Sequence, residues 1–185
     1  MGENKALKLF LGQPLLVRVA GRLSAMADEL LIVGGTFPPG SFPGLPILPD
    51  LLPGEGALGG LLTALTLAQY SLVVVVACDM PFVNPSLLAE QVRLLEQAHA
   101  DVAIPALDAD HLEPLHAVYR RETCLPAVQA ALASGEKQMV SWFANVKVLK
   151  IPIIVLRTFD PLLHSFTNLN TPKEFADAEV LARLE

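Results

Sequence analysis

Apolar positions along the chain alternate between helical and extended spacing. Leucines and valines over 14–27 recur at helical intervals and predict an amphipathic helix. A second helix is predicted to begin at Gly56, and the β-branched run 72–78 is typical of a strand buried on both faces. Shorter apolar runs predict further strands, at 29–33, near Ile47, at 101–105, at 113–119 and within 147–156.

Capping signals mark the ends of three more helices. Asn84 is a residue type that caps helix N-termini, and the proline after it suits the first helical position. Gly135 suits the left-handed end of another helix. Thr171 and Glu174 have the spacing of a capping box that opens a terminal helix. Alternating strands and helices favour an α/β sheet with helices on its faces, and we expect one domain over 1–185.

An uncharged stretch at 56–78 raises the question of a membrane span. Its length could cross a bilayer core of ~30 Å, and no residue in it carries a formal charge. The stretch nevertheless contains glycine, threonine and glutamine, and its polar segment 69–71 predicts a turn. We therefore expect a packed helix followed by a buried strand, with no membrane partner.

Charge and cysteine content narrow the classes of function. The 185 residues include 13 basic and 19 acidic side chains, a formal net charge of −6, without a basic patch. This balance argues against a nucleic-acid partner. Cys78 and Cys124 are too few for a disulfide framework or a zinc site. Because no secretory signal pattern opens the chain, a reduced, cytoplasmic protein is expected.

One glycine-rich segment matches a dinucleotide-binding pattern. Gly54-Glu-Gly56-Ala-Leu-Gly59 has the G-x-G-x-x-G spacing, and Asp79 follows Gly59 by twenty residues. An acid at that distance holds a ribose hydroxyl in dinucleotide folds. Prolines interrupt the preceding strand, and the intervening segment 50–53 separates it from the glycines, which weakens the match. An NAD-binding oxidoreductase is kept as an alternative function.

Asp79 is the best candidate for a metal ligand. It follows the apolar run 72–78, and carboxylates at the carboxyl ends of parallel strands face the crevice where ligands bind. Because Asn84 already caps the next helix, Asp79 is not needed as a cap. Its carboxylate suits Mg²⁺, which prefers oxygen ligands. His111, Glu113 and His116 are residue types that bind metals. Glu113 and His116 would face opposite sides of a strand, so no zinc site is predicted.

Five segments in a fixed order carry a family resemblance. They are Met1-Gly-Glu-Asn-Lys5-Ala-Leu, Gly56-Ala-Leu-Gly-Gly60-Leu, Cys78-Asp-Met-Pro81-Phe, Glu113-Pro-Leu115 and Phe166-Thr-Asn168-Leu-Asn170-Thr-Pro172. Together the segments span nearly the whole chain, which resembles the molybdenum cofactor guanylyltransferase family. The resemblance implies a Rossmann-like, mostly parallel sheet of the nucleotide-diphospho-sugar transferase type. It also implies Mg²⁺-dependent transfer of GMP from GTP to molybdopterin, with release of pyrophosphate.

The resemblance also implies roles for individual residues. Lys5 and Asp79 would be catalytic, with Lys5 on the triphosphate and Asp79 holding Mg²⁺. The expected binding residues for nucleotide and pterin are Lys5, Asp50, Gly56, Leu58, Gly59, Asp79, Asn168 and Asn170, the two asparagines on the pterin side. Expected partners are GTP, molybdopterin or molybdenum cofactor, and molybdoenzymes or other proteins of cofactor biosynthesis.

Three departures from the family pattern keep alternatives open. The family's first strand and most of its glycine-rich phosphate loop precede the Met-Gly at which this chain begins, so an N-terminally truncated nucleotidyltransferase domain is expected. A non-catalytic nucleotide- or pterin-binding protein is therefore one alternative. Gly34-Gly35 lacks an asparagine often found there, which leaves a cytidylyltransferase or sugar-phosphate nucleotidyltransferase open. Lys173 replaces a common acid, with an effect expected only on surface charge.

Overall fold

Helices and strands alternate along the chain in the computed structural model, which describes residues 5–35, 37–38 and 40–184. The helices are α1 Leu15–Leu23, α2 Gly56–Leu67, α3 Pro85–Gln97, α4 Arg121–Ala133, α5 Ile153–Phe159 and α6 Pro172–Ala182. The strands are β1 Leu9–Phe10, β2 Gln13–Pro14, β3 Ile32–Val33, β4 Ile47–Leu48, β5 Leu72–Val76, β6 Val102–Ala106, β7 His116–Arg120 and β8 Val148–Pro152. Three 3₁₀ turns lie at Lys5–Leu7, Phe143–Asn145 and His164–Phe166.

The main sheet has four strands in the order β5-β7-β6-β8. β6 and β8 are parallel, and β7 is antiparallel to both β5 and β6. Three of these four strands therefore run in one direction, which confirms the predicted α/β fold with a mostly parallel sheet. β7 is reversed because the short connection 107–115 returns the chain directly beside β6, whereas a parallel neighbour needs a long crossover.

Both faces of this sheet are covered by helices, as predicted. On one face, α2 and α4 pack with the fully buried Trp142 against Val102 and Tyr119. On the other face, α3 and α5 bury Leu87 and Leu156 against Ala103 and Val118. Successive strand residues point to opposite faces, so a strand between two helical layers needs apolar side chains throughout. This explains the hydrophobic run of β6. β5 was predicted to be buried on both faces, but all five of its residues are only half-buried, because it lies at the edge of the sheet.

A separate parallel pair, β3 and β4, lies beside the main sheet. Ile32 aligns with Ile47 and Val33 with Leu48. In the described part of the chain, neither strand pairs with β5, and an apolar groove lies between β3 and β5. β3, β4 and the segment that follows β5 are joined by a common cluster that includes Ile32, Ile47 and Cys78. Segments that follow these three strands therefore meet at one edge of the molecule.

Two predicted elements need correction, and one helix was not predicted. The strand expected within 147–156 is present as β8, which ends at Pro152, and the helix α5, which was not predicted, begins directly after it. Proline at the helix start loses no helical hydrogen bond, and Leu156 is buried whereas Ile154 is 70% exposed. The strand expected at 113–119 begins only at His116, after a turn in which His116 N–H donates to Glu113 O. The first helix, predicted over 14–27, ends at Leu23.

The predicted absence of a membrane-spanning segment agrees with the helix lengths. Among the described residues, no helix is long and apolar enough to cross a membrane. The uncharged stretch 56–78 forms α2 and β5, joined near Gln69, whose backbone N–H and side-chain amide both donate to Glu29. Its hydrophobicity therefore reflects burial within the α/β core.

Candidate functional site

Asp79 lies in a tight turn directly after β5. The Met80 N–H donates to Ala77 O at 3.3 Å, which closes the turn and buries the Met80 side chain. Arg18 of α1 donates from Nε to Pro81 O at 3.0 Å. The backbone on the far side of Asp79 is thus fixed by a neighbouring helix. Only 19% of the Asp79 side chain is exposed, so the carboxylate is presented from a rigid and partly desolvated support.

Lys5 and Asn170 come from opposite ends of the chain and meet at Asp79. Lys5 Nζ lies 3.4 Å from Asp79 Oδ2 and also donates to Asn170 Oδ1. Two-fifths of the Lys5 side chain is exposed, so its ammonium remains open to a ligand. The structure thereby brings together three of the residues that the sequence singled out. The cluster contains a cation, a carboxylate and a neutral amide within one contact network.

The segment that carries the two asparagines is held against the Asp79 turn. Leu169 N–H donates to Asp79 O at 3.1 Å, and the Leu169 side chain is fully buried. This contact places half-buried Asn168 and exposed Asn170 on either side of a fixed residue. For Asn168, only its place in this segment supports the predicted role.

Glu174 fixes the backbone of the same segment from α6. Its Oε2 accepts N–H bonds from Asn170 and Thr171, each at 2.7 Å, and Thr171 Oγ1 accepts from the Glu174 N–H. These backbone donors lower the pKa of the Glu174 carboxyl, and the Lys5 charge contributes in the same direction. The predicted capping box is therefore present, and it positions Asn170 as well as starting α6.

Asp50 follows β4 and turns its carboxylate toward two glycines. Both carboxylate oxygens would lie 3.1 Å from a Cβ on Gly34, and Oδ1 would lie 3.9 Å from one on Gly60. Oδ1 is buried and has no hydrogen-bond partner among the described residues. A buried carboxylate oxygen without a donor is costly unless a ligand supplies one. The Asp50 carboxylate therefore keeps an acceptor oxygen that no described residue uses.

The predicted glycine segment forms the first turns of α2. Gly56 has φ +60°, a left-handed conformation that favours glycine at the helix start. A Cβ on Gly59 would lie 2.9 Å from Glu55 Cβ and 3.1 Å from Leu52 O, so close packing requires glycine there. Leu58 is fully buried in the core, and its side chain is therefore unavailable to a ligand. A binding role for Leu58 rests on its backbone alone.

The remaining metal-ligating residue types do not form a metal centre. No group of three or more histidine, cysteine, aspartate or glutamate side chains in the described ranges could hold a metal ion. His111 Nε2 contacts Glu113 Oε1 at 2.6 Å, whereas His116 is fully buried and bonds Gln91. Burial lowers the pKa of His116 from 6.5 to about 4, so this imidazole is neutral at pH 7.

Both cysteines are free thiols, in agreement with the prediction that they form no disulfide framework. Burial, followed by the neighbouring Asp79 charge, raises the pKa of Cys78 above 9.0. A raised pKa keeps the thiol protonated and poorly nucleophilic. Cys78 therefore supports the turn by packing with Ala6, Leu16 and Phe42 and takes no part in bond formation.

Sequence reasoning missed two contributors to the site. Glu174 was recognised only as a capping residue, although the position of its capping box beside Asn170 is itself a signal for a positioning role. The loop at Gly34 was considered only because it lacks an asparagine. The structure shows instead that Gly34 leaves room for the Asp50 carboxylate. A glycine pair directly after a strand is the sequence signal for such a close approach.

The sheet with helices on both faces, and the lysine–carboxylate cluster at its edge, define an α/β protein of the nucleotidyltransferase class. The sequence model of the MobA-like NTP transferase domain matches residues 1–148. The chain belongs to this family.

Individual relatives and solved structures agree with this assignment. A probable molybdenum cofactor guanylyltransferase of Pelotomaculum thermopropionicum is 36% identical over 183 residues, with 98% of this chain and 87% of the relative covered. The molybdenum cofactor guanylyltransferase of Desulfosudis oleivorans is 31% identical, covering 96% and 87% respectively. The crystal structure of molybdopterin-guanine dinucleotide biosynthesis protein A from Archaeoglobus fulgidus matches with TM-score 0.83 and 27% identity, covering 100% of this chain and 93% of that one.

A more distant structure supports the fold alone. The 2-C-methyl-D-erythritol 4-phosphate cytidylyltransferase of Thermus thermophilus matches with TM-score 0.71 at 19% identity. The match covers 97% of this chain and 94% of the cytidylyltransferase chain. The predicted nucleotidyltransferase fold is thus confirmed, and the likeness does not distinguish between nucleobases.

Proposed function

We propose that this chain is a molybdenum cofactor guanylyltransferase, which transfers GMP from GTP to molybdopterin or molybdenum cofactor and releases pyrophosphate. The names of relatives 30–36% identical over most of the chain support this substrate pair. The observation that carries the proposal is the convergence of Lys5, Asp79 and Asn170 at the carboxyl edge of the sheet. Because GTP is a nucleotide of the cell interior, the proposal includes a cytoplasmic location.

Lys5 is the residue proposed to bind the triphosphate. Its ammonium is exposed enough to reach a ligand and is oriented by Asp79 and Asn170. A lysine acts on phosphates as a compact point charge with three donors. When GTP binds, Lys5 would neutralise charge that develops on the departing pyrophosphate, and such stabilisation is strongest when the charge is positioned in advance.

Asp79 is the residue proposed to hold Mg²⁺. The donor chemistry fits, because protein-bound Mg²⁺ keeps several waters and needs only one or two carboxylates beside substrate phosphates. The partly buried Asp79 carboxylate stands at the strand end with the amide oxygen of Asn170 in the same contact network. When bound, Mg²⁺ would supply Lewis-acid stabilisation to the phosphate oxygens.

The nucleoside is proposed to bind on the side of Asp50. Its unpartnered Oδ1 can accept from a nucleoside N–H or ribose O–H, and Gly34 and Gly60 leave space for the approach. The start of α2, which contains Gly56, Leu58 and Gly59, would contact the nucleotide through backbone atoms. Asn168 and Asn170 would face the pterin, where amide groups can both donate and accept hydrogen bonds.

This arrangement provides the chemistry that the reaction requires. The attacking terminal phosphate of molybdopterin is already ionised, so no general base is needed. The requirements are in-line placement of the two substrates and neutralisation of the charged phosphates. In this proposal the fixed Asp79 turn and the anchored segment 168–170 would serve the first requirement, and Lys5 would serve the second.

Titration calorimetry with GTP, CTP and NAD, each with and without MgCl₂, tests this proposal. We expect GTP to bind more tightly with Mg²⁺ and in preference to both other nucleotides, followed by pyrophosphate release when molybdopterin is added. Preferential CTP binding would indicate a cytidylyltransferase. Metal-independent NAD binding would instead support an oxidoreductase, whereas tight Mg–GTP binding without pyrophosphate release would indicate a non-catalytic binding protein.

A further inference from the structure

Glu113 is a buried carboxylate that has no role in the reaction proposed above. Only 11% of its side chain is exposed, and His111 Nε2 lies 2.6 Å from its Oε1. Its Oε2 has no hydrogen-bond partner in the described part of the chain. Oε2 is also not one of the fully buried atoms that lack a partner, so solvent reaches it. Glu113 therefore presents one anchored and one accessible carboxylate oxygen.

The backbone that carries this carboxylate is fixed by contacts with the core. The Glu113 N–H donates to Pro105 O at the end of β6, and Glu113 O accepts from the His116 N–H, both at 3.1 Å. The fully buried Tyr119 donates from its hydroxyl to Pro114 O at 2.7 Å. An acceptor held in this way loses little freedom when a ligand binds, which favours affinity.

Glu113 lies at the same edge of the sheet as Asp79. β5 and β6 run in one direction, because both are antiparallel to β7, so their carboxyl ends share an edge. A hydrogen bond from the Ala77 N–H to Leu115 O, at 2.9 Å, joins the segments that follow β5 and precede β7. Asp79 and Glu113 each lie two residues beyond this link, and their Cα atoms are therefore within about 7 Å of it. An elongated small molecule can contact both residues.

The segment that carries the two asparagines is joined to Glu113 through His116. The His116 ring packs on the Phe166 ring, with their centroids 4.8 Å apart, and the His116 N–H bonds Glu113 O. Phe166 precedes Asn168 by two residues. Glu113 thus shares its edge of the sheet with the asparagines that are proposed to face the pterin.

Asp50 and Glu113 lie on opposite sides of Asp79. β7 pairs with one edge of β5, whereas the β3–β4 pair lies across the apolar groove from its other edge. Asp50 follows β4, and Glu113 precedes β7. Guanine and pterin carry the same amino-oxopyrimidine ring, whose amino group and neighbouring ring N–H form a donor edge. One carboxylate on each side of Asp79 therefore matches the two rings that the proposed reaction brings together.

We propose that Glu113 binds the pterin by accepting hydrogen bonds from its amino group and the neighbouring ring N–H, and thereby selects the acceptor substrate. This inference rests on the proposed function, which places the nucleoside on the Asp50 side. An ionised carboxylate has about four acceptor positions, so Oε1 can accept from a ligand while it contacts His111. Hydrogen bonds to a charged acceptor are roughly twice as strong as neutral ones.

Two fluorescent probes test the inference on the full chain. They are the phosphate esters of 6-hydroxymethylpterin and 6-hydroxymethyllumazine, which differ because the lumazine carries a carbonyl oxygen where the pterin carries its amino group. Binding is followed by the fluorescence of the rings themselves. We expect saturable binding of the pterin and about tenfold weaker binding of the lumazine, since its carbonyl would place an unpaired acceptor against the Glu113 carboxylate.

Glu113→Gln and Asp110→Asn form a matched pair of variants. Each removes one negative charge from the same connection, and Asp110 is exposed. We expect Glu113→Gln to weaken pterin binding about tenfold, whereas Asp110→Asn should change it by less than about twofold. Both variants should bind Mg–GTP as the unaltered chain does. With molybdopterin as substrate, Glu113→Gln should raise KM about tenfold and keep kcat within about twofold, because binding is lost equally before and during the reaction.

Three results would overturn the inference. They are absence of saturable pterin binding, equal binding of the two probes, and an unchanged pterin affinity in Glu113→Gln. Weaker Mg–GTP binding in Glu113→Gln would assign the carboxylate to guanine instead. If Glu113→Gln fails to fold, the comparison of the two probes on the unaltered chain still decides the question.

Failure of the proposed function has a different signature. A chain that distinguishes the two probes through Glu113 but releases no pyrophosphate from GTP and molybdopterin would retain the pterin site and contradict the transferase proposal. A chain that releases pyrophosphate with the same KM for molybdopterin in Glu113→Gln would retain the transferase proposal and contradict the role of Glu113.

Discussion

Lys5 lies 3.4 Å from Asp79 although 74 positions separate the two residues in the chain. With 40% and 19% of their side chains exposed, the pair is partly screened by solvent and contributes only about 0–1 kcal/mol to stability. Its main effect is positional. The ammonium is held beside the carboxylate, so a phosphate that enters the site meets a cation already in place.

Replacing Lys5 by methionine should therefore weaken nucleotide binding with little effect on folding. We expect Lys5→Met to lower Mg–GTP affinity about tenfold, because one charge-assisted contact to phosphate is lost. Calorimetry at two salt concentrations measures this change, and the variant should show a smaller salt dependence than the unaltered chain. Lys173→Met, which removes an exposed lysine paired with Asp177, is the control and should leave affinity unchanged.

Asp79→Asn should remove the advantage that Mg²⁺ gives to GTP binding. The amide keeps the shape of the side chain but loses the charge that favours a hard cation. We expect transfer activity to fall by about 100-fold or more and GTP affinity to become nearly independent of MgCl₂. Asp177→Asn, an exposed change on α6, should retain both properties. A Mg²⁺ dependence that survives in Asp79→Asn would assign the metal to another residue.

Asp50→Asn is expected to have opposite effects on stability and on binding. Oδ1 of Asp50 is buried without a donor, so removal of the charge should leave the free energy of unfolding unchanged or raise it by about 1 kcal/mol. Nucleotide affinity should fall, because the ligand's donor loses a charged acceptor. Urea denaturation and calorimetry on the same preparation measure the two effects. A large loss of stability would show that the carboxylate serves the fold instead.

Adjacent glycines of α2 provide a matched pair for the same region. Gly59→Ala would force Cβ within 3.1 Å of Leu52 O, so we expect it to destabilise the fold by about 1 kcal/mol or more. Gly60→Ala meets only Asp50 Oδ1 at 3.9 Å and should stabilise the helix by up to about 1 kcal/mol. Nucleotide affinity should nevertheless fall in Gly60→Ala, since the methyl group narrows the approach to Asp50. Thermal unfolding and calorimetry separate these outcomes.

Local patterns predicted most of the fold, because spacing and caps act over a few residues. Thr171 and Glu174 predicted the start of α6, and the β-branched run predicted the strand β5, although this strand is only half-buried. The helix α5 was missed because its β-branched residues Ile153 and Ile154 favour a strand locally. Burial of Leu156 against the α3 side of the sheet overrides that preference, and such tertiary packing leaves no periodic signal in seven residues.

The site was predicted in composition but not in geometry. Asp79 was chosen from its place after an apolar strand, and Lys5 and Asn170 from a family resemblance. Spacing alone could not show that the three residues touch, since contacts over such distances depend on the whole fold. The sequence likewise did not predict that the Leu58 side chain is fully buried, because Leu58 is one of several leucines at helical spacing in α2. Glu174 was not predicted to support the site, because its role as a helix cap already explained its residue type and position.

His116 provides a prediction about pH. It is fully buried, its Nδ1 lies 3.1 Å from Gln91 Nε2, and its Nε2 has no partner among the described residues. Desolvation lowers its pKa from 6.5 to about 4, although the nearby Asp160 acts in the opposite direction. Between these two pH values the unfolded chain binds the proton more readily than the folded one. Stability contributed by neutral His116 is therefore present above pH 6.5 and is lost as the pH falls toward 4.

From pH 7 to pH 5 this linkage should remove about 2 kcal/mol from the free energy of unfolding. Urea denaturation at both pH values measures the loss, and His116→Asn should show a loss smaller by that amount, whatever its absolute stability. His99→Asn is the control, because His99 is exposed and asparagine tolerates its φ of 47°. It should retain the loss of the unaltered chain. An unchanged difference between pH 7 and pH 5 in His116→Asn would show that His116 accepts its proton in the folded state.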